Sequence, residues 1–452
     1  MRFEIRACSM LVLASLTLVL GLCALPNPAL AESPAPEKPF DFEEASRHVP
    51  KPREIWPIVK QDMVPMELKI ESDEIVESHT DPSKKLRRVE GRFHSIELED
   101  KTWIHPFVVY MPADESINAS PERKGKVAIV SSPSGAMFPV HVAKHGDPIA
   151  TRTGYPTMVL ENPGQYPDGR HVERDIRVLG RVKRATGRKF YNMNCQLAVV
   201  YIQAMNAFEK ILGVQRVQAV LAGHSKRGLS TPVAAAMDSR VASAIIMGNE
   251  GVYATDAIHE YLSFHYPFFQ DQVDVPVFYL GATNEDGYAM FNVNLSQSRC
   301  KRPMTIEMIP NYRHYNLSEI QYMDTMMWVA HTFDGRPISR ITEVSHHRRD
   351  NLHIFRAKVE SEAAIQVVRF WYVHSDNPEW RDLMWYDGVM QKVGDYYEAG
   401  LNGKTPDAFM VEVGDIAQGI PGYVSSLPQK LTDYPVKERP GQGRPLHWRP
   451  TD

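Results

Sequence analysis

A mostly parallel, doubly wound α/β sheet flanked by helices, followed by a small antiparallel β unit, is the fold this sequence predicts. Two observations carry that expectation. Between residues 126 and 310, short apolar runs bounded by turn residues alternate with helix-period segments, as strands buried on both faces and joined by crossover helices require. After about residue 340 the texture changes to NLHIFRAKVE, AIQVVRFWYV and DAFMVEVG with turn signals between them, which read as antiparallel strands.

The chain has 452 residues, 43 % of them apolar, enough for one large core and an appended unit. Arg2 and Arg6 precede an apolar run from Met10 to Leu25, and Ala29-Leu30-Ala31 offers small residues at signal-peptidase spacing. Residues 1–31 are therefore expected to be a cleaved export signal, which directs the protein to the periplasm or out of the cell. The run is short for a bilayer span and is followed by Pro26 and Pro28, so no stable membrane span is expected after cleavage. Cleavage removes two arginines and one glutamate and takes the net charge from −4 to −5, which gives no footing for nucleic acid as a partner. Cys8 and Cys23 leave with the signal. Cys195 and Cys300 remain, as one disulfide or as two buried thiols, and are too few for a cysteine metal site. No Gly-rich phosphate loop follows a strand, which argues against a nucleotide-binding enzyme, and no cofactor is expected.

Residues 32–64, rich in Pro, Glu and Lys, read as an extended lead-in, with order beginning near residue 65. Two strand-like runs between Lys85 and Tyr110, separated by Glu99-Asp100-Lys101, predict a hairpin. KVAIVSSP (126–133) and PTMVLENP (156–163) read as buried strands. A helix is expected from Asn194 to Leu212, with Leu197, Val200, Tyr201, Ala204, Phe208 and Ile211 on one stripe and Gly213 to end it. Next come the strand RVQAVLAG, a helix from about Lys226 to Met237, and the strands VASAIIMG, VPVFYLGA and MTIEMIP. The α/β domain spans 65–340, the β unit 341–430, and residues 431–452 form a tail.

The chemistry concentrates at Gly-His-Ser-Lys-Arg-Gly, residues 223–228. A strand, a tight turn and a helix would lift Ser225 above the sheet edge and aim the helix's first N–H groups at an oxyanion formed there. A side chain at Gly223 would crowd the turn, and one at Gly228 would hold the helix off the sheet. A serine nucleophile needs a base, and IPNYRHYN places His314 in the loop after the last strand of the series. The acid that orients it is Glu285 or Asp286, at the end of FYLGATNEDGY, or Glu250 in MGNEG. Serine, acid and histidine then follow the chain order of α/β-hydrolases.

GHSKRGLSTPVAAAMDSRV resembles the serine-containing stretch of the PhoPQ-activated pathogenicity-related protein family, secreted proteins with an α/β-hydrolase fold. Gly223, Ser225, Lys226, Arg227, Gly228, Asp238, Arg240 and Val241 stand in its pattern. The resemblance extends to Thr102-Trp103 with His105, to IPNYRH, and to VRFWYVHSDNPEWRD, covering about residues 60 to 425. Leu229 departs from the family's tryptophan, and Glu285 looks like the counterpart of its aspartate, one residue of slack making it Asp286. The resemblance implies a serine-hydrolase constellation more firmly than a substrate. The G-x-S-K-R-G turn is also similar, more distantly, to carbohydrate esterases whose arginine sits by the oxyanion.

Backbone N–H groups of Lys226 and of Ser134 or Gly135 are the candidate oxyanion donors; Pro133 has none to give. Arg227 either grips the oxyanion or an anionic substrate, or forms a buried pair with a carboxylate. His224, beside the nucleophile, either contacts substrate or packs. The aromatic groups at 261–269 and 370–372 read as core before cleft. Two functions emerge: a serine hydrolase acting on a small-molecule, peptide or carbohydrate ester or amide, or a hydrolase-like secreted binding or signalling protein.

Overall fold

In the computed structural model, which describes residues 47, 50–133, 135–175, 178–187, 193–248, 265–284, 292–314, 318–374 and 382–432, nine strands form one sheet. They are β1 (Lys69–Glu77), β2 (Lys85–Leu98), β3 (Lys101–Pro112), β4 (Lys126–Ser132), β5 (Thr157–Glu161), β6 (Gln218–His224), β7 (Val241–Met247), β8 (Val277–Ala282) and β9 (Thr305–Ile309). Their spatial order is β1-β2-β3-β5-β4-β6-β7-β8-β9. The first three and the β3–β5 pair are antiparallel; from β5 to β9 every pair is parallel. With helices on both faces this is the α/β-hydrolase sheet, and the expected strands fall where the apolar runs stand. The export signal and the last twenty residues of the tail lie outside the described residues. No described helix is long and apolar enough to cross a membrane.

The β2–β3 hairpin turns at Glu99 and Asp100, both at positive φ, as a tight right-twisted hairpin demands. Its neighbour β1 escapes sequence reading because it is an edge strand whose exposed positions carry Glu71, Asp73, Glu74 and Glu77 instead of an apolar alternation.

Two helices differ from expectation. The lead-in is not all extended: α1 (Pro52–Val59) forms there, with Pro52 at its first turn, where a missing N–H costs nothing. It buries Ile55 and Val59 in the same core as Leu197, Val200 and Phe208. Those three belong to α2 (Met193–Leu212), which is buried nearly all round instead of on one stripe, because α1 as well as β2 packs against it. No disulfide joins Cys195, buried within α2, to Cys300, which is half-buried.

Two further helices are α3 (Lys226–Met237) and α4 (Glu319–Asp334). The C-terminal unit comprises β10 (Arg340–Arg349), β11 (Leu352–Glu360), β12 (Ala364–Val373), β13 (Tyr386–Val389), β14 (Gln391–Val393), β15 (Tyr396–Asn402), β16 (Ala408–Ala417) and β17 (Ile420–Ser425). They form two antiparallel sheets, β10-β11-β15-β14 and β13-β12-β16-β17, with Gln429–Lys430 added beside β16. Phe355, Phe370, Phe409 and Val411 make their core. Tyr266, Phe268, Phe269 and Phe370 are all buried, so the described aromatics of the two groups are packing residues, with Trp371 and Tyr372 half-buried.

The unit is joined to the α/β sheet through shared apolar core residues and through polar contacts. Met308 on β9 donates its N–H to Ser425 Oγ at 2.8 Å, and Tyr423 donates its N–H to Asp324 on α4 at 2.7 Å. Arg336, fully buried, pairs with Asp415 at 2.6 Å. Near Asp324 lie two more buried carboxyls, Glu307 on β9 and Glu412 on β16. Burial, and then the neighbouring carboxylates, push Glu307 and Asp324 well above the usual range; Asp324 is opposed by the Tyr423 N–H and Arg336. Burial raises Glu412 too, against Arg369 and Trp371.

The folded chain therefore keeps protons that the unfolded chain releases near pH 4, and stability falls as pH rises from there toward the folded values. Glu307→Gln removes one such titration. Its melting temperature is expected to exceed that of the wild type at about pH 8, with the difference shrinking toward about pH 5; parallel curves would show that Glu307 holds no proton.

Candidate active site

The sharp turn that the glycines imply is present. Ser225 stands between β6 and α3 at φ 61°, ψ −133°, a conformation rare for a side-chain-bearing residue. Its N–H donates to Met247 O at 2.8 Å and its carbonyl accepts from Leu229 N–H at 3.1 Å, so both sides of the strained residue are tied. A Cβ at Gly228 would lie 2.5 Å from Gly223 O and 2.9 Å from Met247 N. One at Gly223 would meet the Tyr201 hydroxyl and the Arg227 backbone. That hydroxyl, from α2, reaches Ala222 O at 2.9 Å and Arg227 O at 3.2 Å, clamping the two ends of the turn.

His314 lies on the loop after β9, and its Nε2 is 2.9 Å from Ser225 Oγ. Its Nδ1 is 2.8 Å from Gly248 O, just beyond β7. A carbonyl can only accept, so Nδ1 carries the proton and Nε2 presents its lone pair to the serine. That is the tautomer a general base needs. Glu285, Asp286 and Glu250, the three candidate acids, lie outside the described residues, as does Ser134.

His224 is buried with its ring centroid 4.8 Å from that of His314. A Cβ at Gly248, which has φ +67°, would come within 2.7 Å of His224 Nε2. Burial, with His314, His141 and Arg227 nearby, holds His224 well below the ordinary histidine range, against a hydrogen bond to the His314 backbone. It is a neutral platform under the base. Beyond it, buried His141 and His145 stack at 5.2 Å, and burial pushes His145 down to about 3. His105 is equally enclosed, between Ser95 Oγ at 2.6 Å and Glu161 O at 2.9 Å.

The two cations beside the serine converge on Glu173, which the sequence reading did not single out. Lys226 Nζ lies 2.6 Å from one carboxylate oxygen, and Arg227 pairs with the other while its Nε donates to Asn162 O. Arg227 is 2 % exposed. Burial disfavours the charged Glu173, but Arg227 and then Lys226 outweigh it and keep the carboxyl below its usual range. Lys226 is the first residue of α3, so its N–H has no acceptor within the helix. Gly135 donates its N–H to Glu161 at 3.3 Å, a carboxylate that also accepts from Gln165 at 2.9 Å. Among the described residues no group of three or more His, Cys, Asp or Glu is arranged to hold a metal ion.

With this geometry in view, comparisons with known proteins are distant. No protein-family model and no curated protein matches the chain. Among solved structures it is similar to a cold-adapted esterase from an Arctic intertidal metagenomic library, at 15 % identity and a TM-score of 0.38, over 54 % of this chain and 94 % of that one. An acetyl xylan esterase from Paenibacillus sp. R4 gives 11 % identity and a TM-score of 0.40, over 62 % and 95 %. A glucuronoyl esterase from Solibacter usitatus gives 13 % and 0.35, over 55 % and 78 %. Likenesses this distant add nothing to the chemistry, which rests on the residues themselves.

Glu173→Gln tests the cation cluster. It leaves the Arg227 charge buried without its partner, and a loss of about 3 kcal/mol in urea unfolding is expected. A loss below about 0.5 kcal/mol would mean that the pair does not fasten the turn.

Proposed function

We propose that the chain is an exported serine hydrolase that cleaves a carboxylic ester or amide through an acyl-enzyme. The observation that carries this reading is the 2.9 Å approach of His314 Nε2 to Ser225 Oγ at a strained strand-to-helix turn. Ser225 Oγ adds to the substrate carbonyl carbon as its proton passes to His314 Nε2. The tetrahedral oxyanion then collapses, the bond to the leaving alcohol or amine breaks, and His314 returns the proton to that group. Water repeats the sequence on the acyl-serine and restores the free enzyme.

In this reading the Lys226 N–H is the first oxyanion donor, and the second comes from Ser134, or from Gly135 once its N–H leaves the Glu161 carboxylate. Glu285 or Asp286 stabilises the imidazolium that forms when His314 is protonated. Arg227 acts on the oxyanion through the backbone it anchors, since its guanidinium is engaged by Glu173 and Asn162. Membership of the PhoPQ-activated pathogenicity-related family is supported by Gly223, Ser225, Lys226, Arg227 and Gly228 and by the IPNYRH stretch. Export rests on Arg2, Arg6, the apolar run that follows and Ala29-Leu30-Ala31.

Ser225→Ala and His314→Ala, each folded as the wild type by circular dichroism, are expected to reduce turnover of an activated ester by about a thousandfold or more. A His314→Ala enzyme that kept more than about a tenth of the wild-type rate would remove His314 from the base role. Glu285→Gln and Asp286→Asn, compared singly, identify the acid: one is expected to be crippled and the other spared, whereas equal mild losses would point to Glu250.

A further inference from the structure

The loop that carries His314 is stitched to the C-terminal β unit by a run of directional hydrogen bonds that the chemistry above does not use. Asn311, three residues before the histidine, stands at φ +59°, a conformation asparagine tolerates. Its side chain grips one backbone residue from both sides. Nδ2–H donates to Trp385 O at 2.9 Å, and Trp385 N–H donates to Asn311 Oδ1 at 2.7 Å. The Asn311 N–H donates to Thr283 Oγ1 at 2.9 Å, and the Thr283 hydroxyl donates in turn to Asn284 Oδ1 at 2.7 Å. Asn284 closes the circuit: its N–H donates to Tyr312 O at 3.0 Å, and its Nδ2–H to Leu383 O at 2.6 Å.

The anchor is buried. Trp385 is 2 % exposed, and it and Leu383 belong to the same apolar core as Tyr279 and Met308 of β8 and β9. The arrangement thus ties three separate segments together: the end of β8, the histidine loop, and residues 382–385 just before β13. The sheet, with α2 and α3 packed against the turn, sets the position of Ser225. It does not set that of a histidine five residues beyond the end of β9.

We propose that Asn311 is a positioning residue that fastens the His314 loop to the C-terminal β unit, which makes that unit part of the catalytic frame. The proposal rests on the serine-hydrolase reading, because it assigns a consequence to the place of His314. Displacing a base by about an ångström can cost up to about a hundredfold in rate, so a lost latch is read in turnover before it is read in folding.

The test compares the full-length wild type with Asn311→Gly, which keeps the positive φ and removes both side-chain bonds. With p-nitrophenyl acetate as probe, kcat is expected to fall by about tenfold or more while KM stays within about twofold, and the melting temperature changes little. Amide hydrogen exchange is expected to quicken together in peptides covering residues 309–314 and 382–386, a readout independent of activity. If Asn311→Gly does not fold, Asn311→Asp serves: it keeps the acceptor for Trp385 N–H, sets an oxygen against Trp385 O, and is expected to give a smaller loss in kcat. An unchanged kcat in a folded variant, or faster exchange in only one of the two peptides, overturns the proposal. A wild type inert toward the ester overturns the hydrolase reading itself, and the catalytic role with it.

Discussion

The site depends on the close approach of two backbones at Gly223 and Gly228. The helix after the serine lies so near β6 and β7 that no Cβ fits at either position, and the residue between strand and helix is forced to φ 61°. Strain of this kind costs on the order of 1–3 kcal/mol and persists only where the surroundings over-determine it. Here they do: Met247 O holds the Ser225 N–H, and the Tyr201 hydroxyl bridges Ala222 and Arg227. The same turn starts α3 directly behind the serine, which is why a nucleophile and an unsatisfied N–H come from neighbouring residues.

What surrounds the turn divides into groups that act and groups that hold. Lys226 and Arg227 would be costly as buried cations, and Glu173 offsets that cost by accepting from both. The result is a fixed polar floor. His224 does for the base what Glu173 does for the cations: kept neutral by burial, it packs under His314 and blocks any side chain at Gly248. The Gly248 carbonyl then fixes which nitrogen of His314 bears the proton.

Legibility in the sequence followed how local each feature was. Strands buried on both faces, such as residues 126–132 and 277–282, write continuous apolar runs and were legible; the charged edge strand 69–77 was not. The segment 52–59 reads as a lead-in because of its prolines, and only the long helix it covers explains its Ile55 and Val59. Ser225 and its glycines lie within six residues, and His314 follows a recognisable strand, so both could be named in advance. Glu173 could not, nor could the roles of Tyr201 and Gly248 at the turn, because each meets it from a distant part of the chain with no spacing signal. Arg227 was open between substrate and ion pair, and its burial beside Glu173 favours the pair. Asn311 lies in the IPNYRHYN stretch beside the histidine, yet its partner Trp385 is 74 residues away.

The most direct measurement of the central claim is covalent labelling of the purified protein with a fluorophosphonate, with the modified residue located by mass spectrometry. A serine that hands its proton to His314 should be phosphonylated, with a single adduct on Ser225 that is absent from Ser225→Ala. No adduct on a folded sample, or an adduct that persists in Ser225→Ala, would contradict it.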